Sequence, residues 1–341
     1  MSPSSLSIAF FDSKSYDIRF FEAEINAFNQ SSSRTVTPIY ISEKISIDSV
    51  EKAAGCDAIC VFVNDNVTAE IIEKIASLGV KAIALRCAGF NNVDLEAAKK
   101  HGMKVFRVPA YSPYSVAEHA VALLLGLNRK IHRAYNRTRE HDFRLEGFLG
   151  FDLHGKTAGI IGTGKIGALT AEILSGFGMK VLLYDTYPNA DLAQKINAEY
   201  VDLASVLSQS DVISLHCPLF PETHHILNKK AFDAMKDGVV IVNTSRGGLI
   251  NGEDLVEAIR SKKVGGAGLD VYEYEQQYFF QDTSEDIVKD ETLNTLLTFN
   301  NVIITSHQAF FTVEALTAIA SVTVSNVTSY IFDGKEENVV E

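Results

Sequence analysis

Cysteine is scarce in this chain, and the four that occur, Cys56, Cys60, Cys87 and Cys217, lie in or beside apolar strand-like runs without the paired spacing of zinc ligands. Reduced, buried thiols are expected, and no metal site. Basic residues are also in deficit: 31 Lys and Arg stand against 43 Asp and Glu, a formal net charge of -12, and no basic run is present. That excludes the electrostatic footprint of a nucleic-acid binder. An anionic ligand must then be held by a few local arginines, because the overall field repels it. No apolar run approaches the roughly 20 residues that span a bilayer, and the opening MSPSSLSIAFFDS has no basic n-region. A soluble protein of the cytoplasm is expected, with no membrane partner. Internal repeats and low-complexity tracts are missing too.

What is present reads as two α/β domains. The chain has 341 residues, 46% of them hydrophobic and 22% charged, more than one core usually serves. LSIAFFDS, VTPIYIS, DAICVFVN, VKAIALRCAG and MKVFRV read as strands, with YDIRFFEAEINAF, SVEKAAG, TAEIIEKIASLG and DLEAAKKHG as the helices between them. Such alternation predicts a doubly wound parallel sheet, flavodoxin-like and without a glycine fingerprint. SPYSVAEHAVALLLGLNRKIHRAYNRTRE reads as one long helix capped at Ser112 or Ser115. A second alternating series, from KTAGIIG to NNVIITSHQ, has the strand count of a Rossmann dinucleotide domain. The remaining VEALTAIASVTVSNVTSYIFDG is an amphipathic helix too short for a domain of its own, so it is expected to return to the first. The NAD-binding domain, 110–310, is then inserted into a substrate domain made of 1–109 and 311–341. YEQQYFFQDTSEDIVKDETLN is a long irregular, acidic segment, of the kind that is functional or disordered.

The chemistry starts at GTGKIG: Gly162, Thr163, Gly164, Lys165, Ile166 and Gly167 follow an apolar strand and open a helix. The first glycine permits the tight turn, the second lets backbone approach a pyrophosphate, and the third lets helix and strand pack closely. Asp185 ends the next strand, where its carboxylate accepts hydrogen bonds from a ribose and repels a 2′-phosphate, favouring NAD over NADP. Hydride transfer to a carbonyl leaves an oxyanion that needs a proton, usually from histidine. His307 and His216 both end strands at the edge where ligands bind. With Cys217 and Pro218 beside it, His216 reads as backing the cofactor. A carboxylate to orient the acid could be Asp270, Glu273 or Glu275 in GLDVYEYE. Arg246, ahead of Gly247 and Gly248 in VNTSRGGLI, can meet a carboxylate with two hydrogen bonds.

Taken together and in this order, GTGKIG, NTSRG, GLDVYEYE and SHQAFF resemble the D-isomer-specific 2-hydroxyacid dehydrogenases over nearly the whole chain. LRCAGFNNVDL, VPAYSPYSVAEHA, NRTREHDFRLEGFLGFDLHGKTAG and DVYEYEQQYFFQD look most like the family's NAD-dependent, fermentative D-lactate dehydrogenase branch. The resemblance implies pyruvate reduction, with His307 as acid/base, Glu275 as its partner and Arg246 as the carboxylate and carbonyl clamp. It also implies that Asp270 and the Thr244 backbone seat the nicotinamide. Backbone N–H groups at Ala88 and Gly89 would meet the substrate carboxylate, and Tyr111 and Phe310 would close on its small side chain, in a cleft between the domains. Homodimers or homotetramers built on the long helix and the FLGF-containing arm are the implied assembly. Two other readings stay open: a reductase for glyoxylate, hydroxypyruvate or phenylpyruvate, and an NAD-sensing protein similar to the C-terminal binding protein co-repressors.

Overall fold

Val, Ile, Ala and Phe buried on both faces of a strand suit a parallel sheet covered by helices, and the centre of each sheet is built that way. The computed structural model describes residues 3–340. In chain order, the first elements are β1 (Ser5–Phe10), α1 (Ser15–Ser31), β2 (Thr35–Tyr40), β3 (Ala58–Val61), α2 (Ala69–Ser77), β4 (Ala82–Leu85), α3 (Leu95–Lys100) and β5 (Lys104–Phe106). SVEKAAG, expected as a helix, makes only a single 3-10 turn at Val50–Ala53, ended by Gly55 in the left-handed region at φ 80. Then come α4 (Pro113–Arg129), α5 (Ile131–Arg139), β6 (Thr157–Ile161), α6 (Lys165–Gly176), β7 (Lys180–Tyr184), α7 (Ala190–Ile196), β8 (Glu199–Tyr200), α8 (Leu203–Gln209) and β9 (Val212–Leu215). The chain finishes with α9 (Lys229–Ala234), β10 (Val239–Asn243), α10 (Gly252–Arg260), β11 (Val264–Leu269), α11 (Glu291–Thr298), β12 (Val302–Ile304), α12 (Val313–Asp333) and β13 (Val339–Val340).

Contacts divide these elements into two units, residues 1–112 with 311–341, and residues 113–310. The first unit holds a six-stranded sheet ordered β13-β5-β4-β3-β1-β2, parallel except for β13. Its helix α12 packs on α1 and against β4 and β5. The sequence reads α12 as amphipathic, but its buried residues include Thr323, Asn326 and Thr328 as well as the aliphatics, and Asn326 donates 3.0 Å to the Arg107 carbonyl. By length and composition alone it is long and apolar enough to cross a membrane, a departure from the expectation that no segment is. Here it serves as the unit's core helix.

The second unit holds a seven-stranded, all-parallel sheet ordered β12-β11-β10-β9-β6-β7-β8. Helices α7, α8, α9, α10 and α11 each start on an Asn or Asp whose side chain accepts a first-turn N–H, Asn189, Asp202, Asn228, Asn251 and Asp290. The expected long helix is two helices. Lys130 adopts the left-handed region at φ 51 and turns α5 away from α4, whose buried face packs on α6, β10 and β11. It begins at Pro113, directly after Ser112, and Ser115 lies inside it.

Candidate active site

All strands of a parallel sheet deliver their C-terminal ends to one edge, and ligands bind there, at the point where strand order reverses. In the 113–310 unit that edge carries, from β12 to β7, His307, Asp270, Thr244 with Arg246, His216 with Cys217, Gly162 and Asp185. Five inter-strand steps span about 24 Å. A dinucleotide laid along the edge reaches from Asp185 across the β6/β9 reversal toward His307.

Gly162 holds φ 93, and a Cβ on it would lie 2.4 Å from the Cys217 nitrogen; a Cβ on Gly167 would lie 1.9 Å from the Gly162 carbonyl oxygen. Both are glycine because strand, turn and helix touch there. Gly164 is glycine for another reason. Among the described residues, none beyond its chain neighbours has an atom within 4 Å of where its Cβ would be, and it precedes α6 with no side-chain cap on the first-turn N–H groups. That opening, at the positive end of a helix dipole, fits a pyrophosphate. Lys165 is exposed beside it and Ile166 half-buried. At the end of β10 the buried Thr244 hydroxyl has no partner among the described residues, a second polar atom awaiting a ligand. The residues present therefore fit a dinucleotide.

Thr163 donates to Asp185 Oδ2 from its N–H at 2.6 Å and its hydroxyl at 3.1 Å, and the Tyr187 N–H donates to Oδ1 at 2.8 Å. Asp185 is thus fixed at the end of β7. The Tyr200 hydroxyl, not anticipated from sequence, shares a 2.8 Å hydrogen bond with Thr163 Oγ1. His216 Nε2 lies 2.8 Å from Ser214 Oγ, and burial pushes this imidazole down to about 4. It is neutral near pH 7 and no proton donor. Burial pushes the Cys217 thiol up to about 11, so it stays protonated, ahead of the exposed Pro218.

The open choice among acids is resolved by contact. Glu275 Oε1 lies 2.7 Å from His307 Nδ1, and Glu275 Oε2 accepts the Tyr272 N–H at 2.9 Å. Glu273 instead meets His224 and His225. The His307 and Glu275 side chains are 19% and 17% exposed, so their contact is weakly screened. His307 Nε2 makes no hydrogen bond with the described residues, which leaves that nitrogen for a ligand. Asp270, implied at the nicotinamide, is fully buried, and the chain's own donors fill its oxygens: the Thr305 hydroxyl and Gln308 N–H on Oδ1, the Ala309 N–H on Oδ2. His119 Nε2 from α4 stands 3.4 Å from the same Oδ1 and 3.2 Å from the Thr305 hydroxyl. Burial drives the Asp270 carboxyl up, but these hydrogen bonds more than offset it and hold it below the usual range. Its place is beneath His307, whose N–H donates 2.7 Å to the Asp270 carbonyl. Sequence reasoning missed His119 and Thr305; the signal was a polar residue four positions after buried Ser115 on the packed side of α4.

Arg246 donates from Nη1 to the Ser245 carbonyl at 2.8 Å and makes no ion pair among the described residues, so most of its fork is uncommitted. In the first unit, the Ala88 and Gly89 N–H groups after β4 likewise have no partner among the described residues, while Arg107 Nη1 braces the Ala88 carbonyl at 3.2 Å. Tyr111 is half-buried near that unit's first boundary, and Phe310 is buried as the last residue of the second unit.

Residues 121–309 match the family model described as D-isomer specific 2-hydroxyacid dehydrogenase, NAD binding domain. The chain is 49% identical over 324 residues to a D-lactate dehydrogenase of Escherichia coli K12, covering 95% of this chain and 96% of that protein. It is similar to the apo-structure of D-lactate dehydrogenase from Escherichia coli, with TM-score 0.90, 46% identity, and coverage of 98% and 100%. It is also similar to a structure titled for the pyruvate reductase of Chlamydomonas reinhardtii, with TM-score 0.92, 39% identity, and coverage of 98% and 99%.

Proposed function

This chain belongs to the D-isomer specific 2-hydroxyacid dehydrogenases, NAD-dependent oxidoreductases, and on that footing we propose that it reduces pyruvate to D-lactate. The observation that carries the reading is the His307–Glu275 pair, joined at 2.7 Å through Nδ1 at the ligand-binding edge of the sheet. When bound, NADH supplies the hydride. Arg246 holds the pyruvate carboxylate through its planar fork and polarises the adjacent carbonyl. His307 gives the proton from Nε2 to the carbonyl oxygen as charge develops there, and Glu275 fixes the ring and favours its imidazolium form. Asp270, with Thr305 and His119, positions the turn that presents His307. Thr244 faces the nicotinamide end of the cofactor and the Gly162–Gly167 turn its pyrophosphate.

The relatives named for lactate and pyruvate support the substrate. The test is NADH oxidation with pyruvate beside glyoxylate, hydroxypyruvate and phenylpyruvate, then the reverse reaction with each lactate enantiomer. Preference for pyruvate and oxidation of D-lactate alone is expected; preference for another acid overturns the substrate, and oxidation of L-lactate the stereochemistry. Self-association belongs to the same reading. The 140–151 arm exposes Phe143, Leu145 and Leu149 beside a groove of about 490 Å³, an apolar surface suited to a second copy of the chain. Four free, buried cysteines accord with the reducing cytoplasm.

A further inference from the structure

Glu273 and the histidine pair between β9 and α9 take part in no step above. His225 Nε2 lies 2.9 Å and His224 Nε2 3.3 Å from the same oxygen, Glu273 Oε1, and the three candidate ligand atoms all fall within 4.8 Å of one another. The two rings stack with centroids 3.8 Å apart, which turns both nitrogens the same way. His225 is held in the left-handed region at φ 50, its N–H donating 2.8 Å to the Gly248 carbonyl in the turn behind Arg246. Two residues on, the Leu227 N–H donates 3.0 Å to the Leu249 carbonyl. The histidines are therefore presented from a docked segment, not a free loop.

We propose that His224, His225 and Glu273 form a binding site for a divalent cation of the zinc class. Two imidazoles and one carboxylate suit Zn²⁺, Co²⁺ or Ni²⁺, whereas Mg²⁺ and Ca²⁺ call for all-oxygen sets. Neighbouring ligands about a tetrahedral ion with bonds of roughly 2.0–2.1 Å lie about 3.3–3.4 Å apart, the spacing His224 already has from Glu273, while His225 draws back by a few tenths of an ångström. The ion binds each imidazole at Nε2, any proton there moving to Nδ1 or to solvent, and the His224 side chain, half exposed, leaves the remaining position open to water. Occupancy clips the β9–α9 segment to the stretch after β11 that carries Glu275 two residues later.

One neighbour limits the affinity. Asn251 caps α10 by accepting the Asp254 N–H at 3.0 Å through Oδ1, which turns its Nδ2 donor toward His225 Nδ1 at 3.5 Å. A metal-bound imidazole wants an acceptor there instead. Asn251→Asp keeps a good cap and supplies that acceptor.

The test uses the tag-free, chelator-treated full chain, titrated with Co²⁺ and followed by its visible d–d absorption, with Zn²⁺ as competitor. One Co²⁺ per chain is expected, displaced by Zn²⁺. Glu273→Gln and His224→Ala should each weaken uptake by at least about tenfold, the lower end of what metal-supporting contacts contribute, and Asn251→Asp should tighten it. His224 is exposed enough that its removal leaves the fold intact, which an unchanged circular dichroism spectrum checks. Added Zn²⁺ should raise the unfolding temperature of the parent chain but not of His224→Ala. No Co²⁺ uptake, or uptake that these variants leave unchanged, overturns the site.

Discussion

His307 sits at φ 53, a backbone region that costs a non-glycine residue on the order of 1–3 kcal/mol. Asp270 holds it there, accepting the His307 N–H through its carbonyl and the Gln308 and Ala309 N–H groups through its carboxylate. His307→Ala should lower turnover by about 10²–10⁴ if it is the general acid, with NADH affinity, read by cofactor fluorescence, unchanged. Arg246→Lys loses the planar fork and should raise KM for pyruvate while leaving the NADH dissociation constant as it was; equal loss for both ligands would contradict the assignment. Arg86 poses a different question, since it is buried with Asp17 at 3.3 Å and touches no proposed chemistry. Burial drives the Asp17 and Asp65 carboxyls up and Arg86 draws them down, with a net rise. A carboxyl whose folded pKa is raised contributes stability below its unfolded value and loses it as pH rises through the folded value. Removing Arg86 raises both further. Arg86→Met should therefore cost about 3–5 kcal/mol near neutrality, a deficit that narrows as the pH falls and the two carboxyls take up protons; urea denaturation at several pH values reads both parts.

At the scale of elements, strands were the most legible, because buried parallel strands read as short apolar runs between turn residues. The break between α4 and α5 was not: Lys130 adopts a left-handed conformation that neither glycine nor proline signals. Helix α12 misled in another way, because its buried Asn326 finds its partners, the Arg107 carbonyl and the Asn338 side chain, only in the folded unit. Its C-terminus shows where local chemistry suffices. Gly334 stands at φ 67 with no atom of the described residues, its chain neighbours aside, within 4 Å of an added Cβ, and its N–H and that of Lys335 reach back to the last turn. Gly334→Ala should cost about 1–2 kcal/mol through backbone strain alone, measured as a lowered midpoint for the unfolding transition of the first unit.

At the scale of the molecule, the exposed arm is the feature a lone chain explains least. Leu149 is 90% exposed, and burying one leucine contributes about 1.5–3 kcal/mol. Leu149→Asp should weaken self-association by at least about tenfold and shift the mass measured by light scattering toward one chain; an unchanged mass would place any interface elsewhere. The sequence by itself determined the two α/β sheets, the fingerprint turn with its three glycines, and the strand ends that carry Asp185, Arg246, Asp270 and His307. Those follow from local periodicity and turn chemistry, which need no distant partner. Only the tertiary structure decided that His216 is neutral, that Asp270 is enclosed, and that His224, His225 and Glu273 converge. The Asp270 and Glu273 contacts depend on segments at least 30 residues apart meeting at one sheet edge, and the state of His216 on burial, so that environment, not residue type, sets what a side chain can do.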